Sequence, residues 1–178
     1  MTSTPKEATQ QQQYLTFLLA GEEYAISILR VKEIIGYDIV TALPKTPNWV
    51  HGVINLRGNV VPVVDLAVRF GLGAGPITKT TCIVIVEWKL ENHDTMIGVM
   101  ADEVSQVMDI SDDEVQPVPA FGTRITVEYL QGMAQMGKKF ALLLNIDKVL
   151  SADEVLSLDG VLVSPEKTDV RAATATQA

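Results

Sequence analysis

Short runs of Val, Ile and Leu, separated by Gly, Pro and Asn, recur along most of the chain. β-Branched residues in runs of this length are typical of strands, and the separating residues favour turns. The pattern predicts a mainly β fold. The strands are expected near Tyr14–Leu19, Glu23–Ile26, Trp49–Leu56, Val60–Asp65, Thr80–Trp88, Met96–Met100, Gln106–Ile110, Tyr129–Met136 and Lys139–Asn145.

Helical signals are few and short. Between Ile28 and Ile35 the apolar residues fit neither a helical nor a strand period, so both structures stay open there. The capping-box spacing from Ser151 to Glu154 predicts a C-terminal helix. The same spacing begins at Ser111, but Pro117 limits that helix to about one turn.

A weak internal repeat is the most informative feature of the chain. The segment from Gly52 to Leu66 resembles the segment from Gly132 to Ile146, and in each the Gly lies 13 positions before an Asp or Asn that precedes a large aliphatic residue. In the first copy, Gly58-Asn59 is expected to form the turn. Upstream, Val31-Lys32-Glu33-Ile34 has an echo in Val104-Ser105-Gln106-Val107. The shared order predicts a duplication that yields two interlocked barrels with a common groove, because no Gly/Ser-rich linker separates the copies.

Composition and charge exclude several classes of partner and cellular location. The net charge of −8 argues against a nucleic-acid groove or contact with an anionic membrane, since both need clustered Lys and Arg. Residues 1–13 and 164–178 are polar, so 1–13 is expected to be a disordered leader and 159–178 a flexible tail around a folded region, 14–158. No secretory signal is visible, and the single cysteine allows no internal disulfide, so a cytoplasmic location is expected.

Candidate chemistry is sparse. His51 and His93 lie in a strand and a polar turn, which does not indicate a metal site. Cys82 lies in an apolar run, as expected of a buried structural thiol. The chain contains no G-x-S-x-G, G-x-G-x-x-G or Walker-type loop. The sequence therefore predicts no catalytic residue, no metal and no cofactor, and leaves binding as the activity.

Several segments resemble the chemotaxis coupling proteins of the CheW family, over about Tyr14 to Leu158. The most specific are Asn55-Leu56-Arg57-Gly58 and, after it, Val61-Pro62-Val63-Val64-Asp65-Leu66. The others are Glu22–Ile26, Val31–Tyr37, Gly52–Ile54, Ile97–Val99, Asp102–Val104 and Leu142–Ile146.

The resemblance implies two SH3-like, five-stranded barrels that share a core. It also implies a non-catalytic adaptor that bridges the cytoplasmic tips of methyl-accepting chemotaxis receptors to the regulatory domain of the histidine kinase CheA. Such a protein is recruited to receptor arrays without touching nucleic acid or the membrane itself. An adaptor of a non-flagellar chemosensory array and a small-molecule-binding β module are the alternatives.

The resemblance also suggests binding residues. For the receptor these are Val31, Glu33, Ile34, Gly52, Arg57, Val104 and Val107. For the kinase they are Asn59, Val60, Val61, Met133 and Lys138. Arg57 would be a charged anchor and Gly52 would allow close backbone approach. For Arg57, a solvated turn residue is the alternative.

Overall fold

The structure, a computed structural model, describes residues 11–89, 94–119 and 127–151 together with Glu154, Ser157 and Leu158. This part of the chain is mainly β. Its strands are β1 (Gln11–Leu19), β2 (Glu22–Ser27), β3 (Val31–Gly36), β4 (Val50–Leu56), β5 (Asn59–Val64), β6 (Cys82–Lys89), β7 (Asp94–Ala101), β8 (Glu103–Ser111), β9 (Leu130–Met136) and β10 (Lys139–Leu144). The short helices are α1 (Leu66–Arg69) and α2 (Ile146–Val149), and 3₁₀ turns cover Ile28–Arg30, Asp112–Glu114 and Val127–Tyr129.

All the predicted strands are present, and β3 is the one that the pattern left open. Ile28–Arg30 form a 3₁₀ turn, in which the Leu29 N–H donates to Ser27 Oγ at 3.3 Å. The chain then extends directly into β3 (Val31–Gly36). The hydrophobic period was mixed because two different elements share this short segment.

Two local expectations were wrong. Gln11, in the expected leader, already belongs to β1 and pairs with Ser111 of β8. Backbone pairing with a neighbouring strand orders this polar segment, while its glutamine side chains stay exposed. The β4–β5 turn is formed by Arg57 and Gly58, whose φ angles are 53° and 87°, so Asn59 is the first residue of β5 and not part of the turn.

The two helix-start predictions are confirmed. The Ser151 N–H donates to Glu154 Oε1 at 2.8 Å and the Glu154 N–H donates to Ser151 Oγ at 3.1 Å, which is a reciprocal capping box. A second capping box joins Ser111 to Glu114 and begins only one 3₁₀ turn. Hydrogen bonds from the Ser111 backbone and side chain lower the pKa of the Glu114 carboxyl.

The strands form two five-stranded sheets with orders β8-β1-β2-β10-β9 and β3-β6-β7-β5-β4. The duplicated units in sequence are β1–β5 and β6–β10. Each sheet therefore combines the first hairpin of one unit with the last three strands of the other. Parallel pairing of β2 with β10, and of β5 with β7, makes the two joins. The interlocked arrangement predicted from the repeat is present.

The repeat has a structural reason at its polar position. Asp65 and Asn145 are the N-cap residues of α1 and α2, and their side chains accept from the N–H groups of Val68 and Asp147, both at 3.2 Å. The Asp or Asn before a large aliphatic residue is thus the N-cap of a short helix that follows each hairpin.

The similarity between the segments that begin at Val31 and Val104 also has a structural counterpart. The register of β3 against β6 shifts between Val31 and Glu33. That of β8 against β1 shifts opposite Thr16 and Phe17, where Val104 and Gln106 pair. Both edge strands therefore carry an irregularity at the same place in the repeat.

Three apolar clusters hold the sheets. The largest takes side chains from both sheets, including Leu15 and Phe17 from one and Val84 and Val86 from the other. Two smaller clusters belong to one sheet each, around Leu143 and around Ile83 and Ile85. Strand β6 buries both of its faces, Val84 and Val86 in the shared cluster and the two isoleucines in the smaller one, which explains its unbroken apolar run.

Arg69, at the end of α1, joins the first half of the chain to the last. Its Nε donates to the Val149 carbonyl at 3.1 Å, and its two terminal nitrogens each donate to Glu154 at 2.8 Å. The guanidinium carbon also lies 4.9 Å from the Trp49 ring centroid and 5.8 Å from that of Tyr129. A planar fork held by a carboxylate, a carbonyl and two aromatic rings suits Arg and not Lys.

Gly52→Ala should lower the free energy of unfolding by about 1–3 kcal/mol, the usual range for overpacking. A Cβ at this position would overlap the Thr41 carbonyl oxygen and lie 2.8 Å from Val40 Cγ1. Gly36→Ala is the matched control, because a Cβ there meets nothing within 4 Å. Urea unfolding of the two variants measures the difference, and equal midpoints would contradict the close packing at Gly52.

Arg69→Met should cost about 2 kcal/mol of unfolding free energy, between the cost of breaking an exposed ion pair and that of breaking a fully buried one, because Glu154 is partly exposed. Arg57→Met, which removes the same charge from an exposed turn, should leave the denaturation midpoint in place. If both variants unfold at the same urea concentration as the parent chain, Arg69 does not join the halves.

Candidate partner-binding site

Strands β3 and β8, each at one edge of its sheet, carry most of the expected receptor residues. Val31 and Val104 are half-buried and pack against the shared apolar cluster. Ile34 and Val107 point outward and are 44% and 49% exposed. The repeat thus places an aliphatic pair of the same kind on each edge strand, with one member anchored in the core and the other free to contact a partner.

Glu33 and Arg57 form an ion pair between β3 and the β4–β5 turn. The two terminal nitrogens of Arg57 donate to the two carboxylate oxygens of Glu33 at 2.7 and 2.9 Å. This bidentate contact raises the pKa of the Arg57 guanidinium, first through the hydrogen bond and then through the charge of Glu33. Glu33 therefore fixes the direction of the Arg57 side chain, which remains exposed.

The second unit has no such ion pair. Gln106 occupies the place of Glu33 on β8, and Gly137 occupies the place of Arg57 in the β9–β10 turn. The second sheet is nevertheless built in the same way. The fold therefore does not require the ion pair, which favours a role for it in binding.

Gly52 has a different role from the expected one. The backbone that approaches it is that of Thr41 in the same chain, which pairs with Val53 through two hydrogen bonds of 2.8 and 2.9 Å. Gly132 meets Gln116 in the same way in the second unit. Gly52 is buried, so it supports the β3–β4 connection and is not available to a partner.

The expected kinase residues are divided between surface and core. Asn59 and Lys138 are exposed, Met133 is half-buried, and Val60 is 54% exposed. Val61 is only 1% exposed and packs in the cluster around Ile83 and Ile85, so its side chain cannot contact a partner. The alternation of a strand explains this correction, since Val60 and Val61 point to opposite faces.

Phe140 was missed by sequence reasoning. It lies five residues before Asn145, as Val60 lies five residues before Asp65, and it is 41% exposed. The repeat therefore presents an apolar side chain at the same position of each second hairpin. Aligning the two copies residue by residue would have found it.

Two clefts also repeat. One, of about 470 Å³, lies between β3 and β4 and has Ile39 and Asn55 in its lining. The other, of about 160 Å³, lies between β8 and β9 and has Glu114 and Gln135 in its lining. Each opens between the two edge strands of its own sheet, where a partner side chain can be accommodated.

The described residues show little that could support chemistry. No three His, Cys, Asp or Glu side chains among them converge as a metal site. Cys82 is buried, and its burial raises the pKa of the thiol, which disfavours the reactive thiolate. His51 contacts the Tyr37 hydroxyl through Nε2 at 2.8 Å, and His93 lies outside the described residues. Within that part of the chain, no helix is both long and apolar enough to cross a membrane.

Comparison with known proteins gives one consistent result. The chain is 36% identical over 153 residues to the chemotaxis protein CheW of Klebsiella aerogenes, covering 86% of this chain and 90% of that protein. It is 32% identical to CheW of Treponema pallidum, over 84% of this chain and 88% of the relative.

A solved structure and a family model match the same kind of protein. The crystal structure of the scaffolding protein TtCheW from Thermoanaerobacter tengcongensis superposes with a TM-score of 0.71 at 30% identity, covering 82% of this chain and 91% of that one. The CheW-like domain family matches residues 13–154. The chain therefore belongs to the CheW-like domain family.

Proposed function

We propose that this protein is a non-catalytic scaffold that couples methyl-accepting chemotaxis receptors to the regulatory domain of the histidine kinase CheA. Membership of the family supports a scaffold, and relatives bear the names of chemotaxis and scaffolding proteins. The protein would act in the cytoplasm and be recruited to receptor arrays, where its two partners meet.

The ion pair between Glu33 and Arg57 is the observation that carries the receptor assignment. The contact is bidentate and the Arg57 side chain is exposed. The matching positions of the other sheet hold Gln106 and Gly137, which cannot form an ion pair. A charge held in a fixed direction beside the exposed Ile34 suits a helix that docks by apolar contacts and is fixed in register by a polar one. The receptor surface is accordingly Val31, Glu33, Ile34 and Arg57, with Val104 and Val107 as its counterpart on β8.

Val60 and Phe140 support the kinase assignment. They are exposed apolar side chains at equivalent positions of two hairpins, one in each sheet. A partner that contacts both units could therefore meet an apolar anchor on each, with Asn59, Met133 and Lys138 beside them. Two such contacts raise avidity when the partners are held in an array.

Arg57→Asp should weaken co-sedimentation of this protein with receptor-bearing membranes by about tenfold or more, because an Asp beside Glu33 places two like charges at the anchor. The melting temperature should stay within a few degrees, since the ion pair is on the surface. Unfolding of the variant would instead support a structural role for Arg57.

Ile34→Ser and Val107→Ser should each reduce the amount of protein bound to receptor-bearing membranes, because each removes an exposed apolar contact. Ile77→Ser is the matched control: Ile77 is similarly exposed but lies in the loop between α1 and β6. Equal losses in all three variants would show that the binding is not specific to the edge strands.

Val60→Asp combined with Phe140→Asp should abolish binding to purified CheA while membrane binding through receptors persists. The physical reason is that each Asp places an unpaired charge in an apolar contact. Pull-down with CheA alone measures the first effect and co-sedimentation without CheA measures the second. Loss of receptor binding with CheA binding intact would reverse the assignment of the two surfaces.

A further inference from the structure

A cleft of about 350 Å³ lies between the β3–β4 connection and the C-terminal helical residues, away from both proposed surfaces. The residues that line it include Lys45, Pro47, Trp49, Glu154, Ser157 and Leu158. Its volume is within the range of clefts that bind small ligands or side chains. None of the receptor or kinase residues proposed above lines it.

The wall formed by the β3–β4 connection is held firmly. The Thr46 hydroxyl donates to the Leu43 carbonyl at 3.1 Å, and the Val50 N–H donates to the Pro47 carbonyl at 3.0 Å. Lys45, inside the turn from Leu43 to Thr46, has a φ of 61°, a left-handed conformation that a non-glycine residue keeps only where its surroundings fix it. This loop therefore presents Lys45 in a defined place.

The aromatic part of the lining is also fixed. Arg69 covers the Trp49 ring at 4.9 Å from its centroid, and the indole remains only half-buried beside the cleft. Leu158 is buried in the shared core and lines the same cleft. Pro47, Trp49 and Leu158 thus give the cleft an apolar surface that does not need to rearrange.

The charges around the cleft favour an anion. Glu154 is already neutralised, because it accepts from both terminal nitrogens of Arg69 and from the Ser151 N–H, each at 2.8 Å. Lys45 is exposed, and no carboxylate of the described residues lies within ion-pair distance of it. As far as the structure describes its lining, the cleft therefore combines apolar walls with one cation that has no ion-pair partner, in a chain of net charge −8.

We propose that this cleft binds a short segment of a partner protein in which an aliphatic side chain stands next to an Asp or Glu. The aliphatic side chain packs against Trp49, Pro47 and Leu158, and the carboxylate pairs with Lys45. This third surface is separate from the receptor and kinase surfaces, so it stands whether or not the proposed coupling function holds.

The test uses the intact chain and the blocked peptide acetyl-Asp-Leu-Leu-amide. Trp49 lines the cleft and Trp88 is buried in the core, so a saturable change in tryptophan fluorescence reports occupation of the cleft. Acetyl-Asn-Leu-Leu-amide, which lacks the charge, and acetyl-Asp-Ser-Ser-amide, which lacks the aliphatic groups, should both bind more weakly. Equal responses to all three peptides would overturn the proposal.

Variants locate the site. Lys45→Gln should weaken peptide binding about threefold, as expected for loss of one exposed ion pair, and Ser157→Phe should abolish it by filling the cleft. Lys79→Gln, an exposed lysine outside the cleft, is the matched control. Binding that survives Ser157→Phe, in a variant that still melts cooperatively, would contradict the assignment.

A further variant tests a competing occupant, the aliphatic run Val161-Leu162-Val163 of this chain. If the peptide binds only after Leu162→Ser, the cleft takes this chain's own segment and the partner proposal fails. If the peptide binds the parent chain and Lys45→Gln leaves the response of CheA to receptors unchanged, the third surface is supported separately from coupling.

Discussion

The exchange of hairpins between the two units is the constraint on which the rest of the structure depends. Neither unit, β1–β5 or β6–β10, contains the strands of a complete sheet, so each sheet is finished only by the other unit. The largest apolar cluster is consequently shared between the sheets, and burial of that cluster is the main stabilising contribution. Arg69 adds a polar contact that also joins the two units, between α1 and the residues around Val149 and Glu154. A scaffold built in this way holds surfaces on both sheets in a fixed relation.

Duplication also separates what the fold needs from what it does not. Buried or capping positions that are matched in both units serve the structure: the N-caps Asp65 and Asn145, and the glycines that meet a neighbouring carbonyl. Positions that differ are free to serve binding. The Glu33–Arg57 pair belongs to the second kind, because Gln106 and Gly137 stand in its place in the other unit. This comparison within one chain gives a physical basis for the proposed receptor surface.

Much of the fold could be predicted from the sequence. Turn residues mark where the strands begin and end, and the repeated segments occur in the same order in both halves, so few strand topologies fit the chain. Burial was harder to predict at single residues. Val61 looked like a neighbour of Val60 on the surface, but strand alternation places it in the core. Gly52 looked available to a partner, but the backbone of Thr41 occupies the space beside it. Arg69 could not be found, because its partners Val149 and Glu154 are distant in sequence and are brought close only by the fold.

Reconstituted kinase activity tests the central claim most directly. CheA and receptor-bearing membranes are mixed with and without this protein, and CheA autophosphorylation is measured together with the amount of CheA that sediments. The coupling account predicts that adding the protein brings CheA to the membranes and makes its activity depend on the receptor ligand, since a scaffold transmits a signal only if the two receptor states bias the bound kinase differently. Unchanged autophosphorylation and unchanged sedimentation of CheA would contradict it.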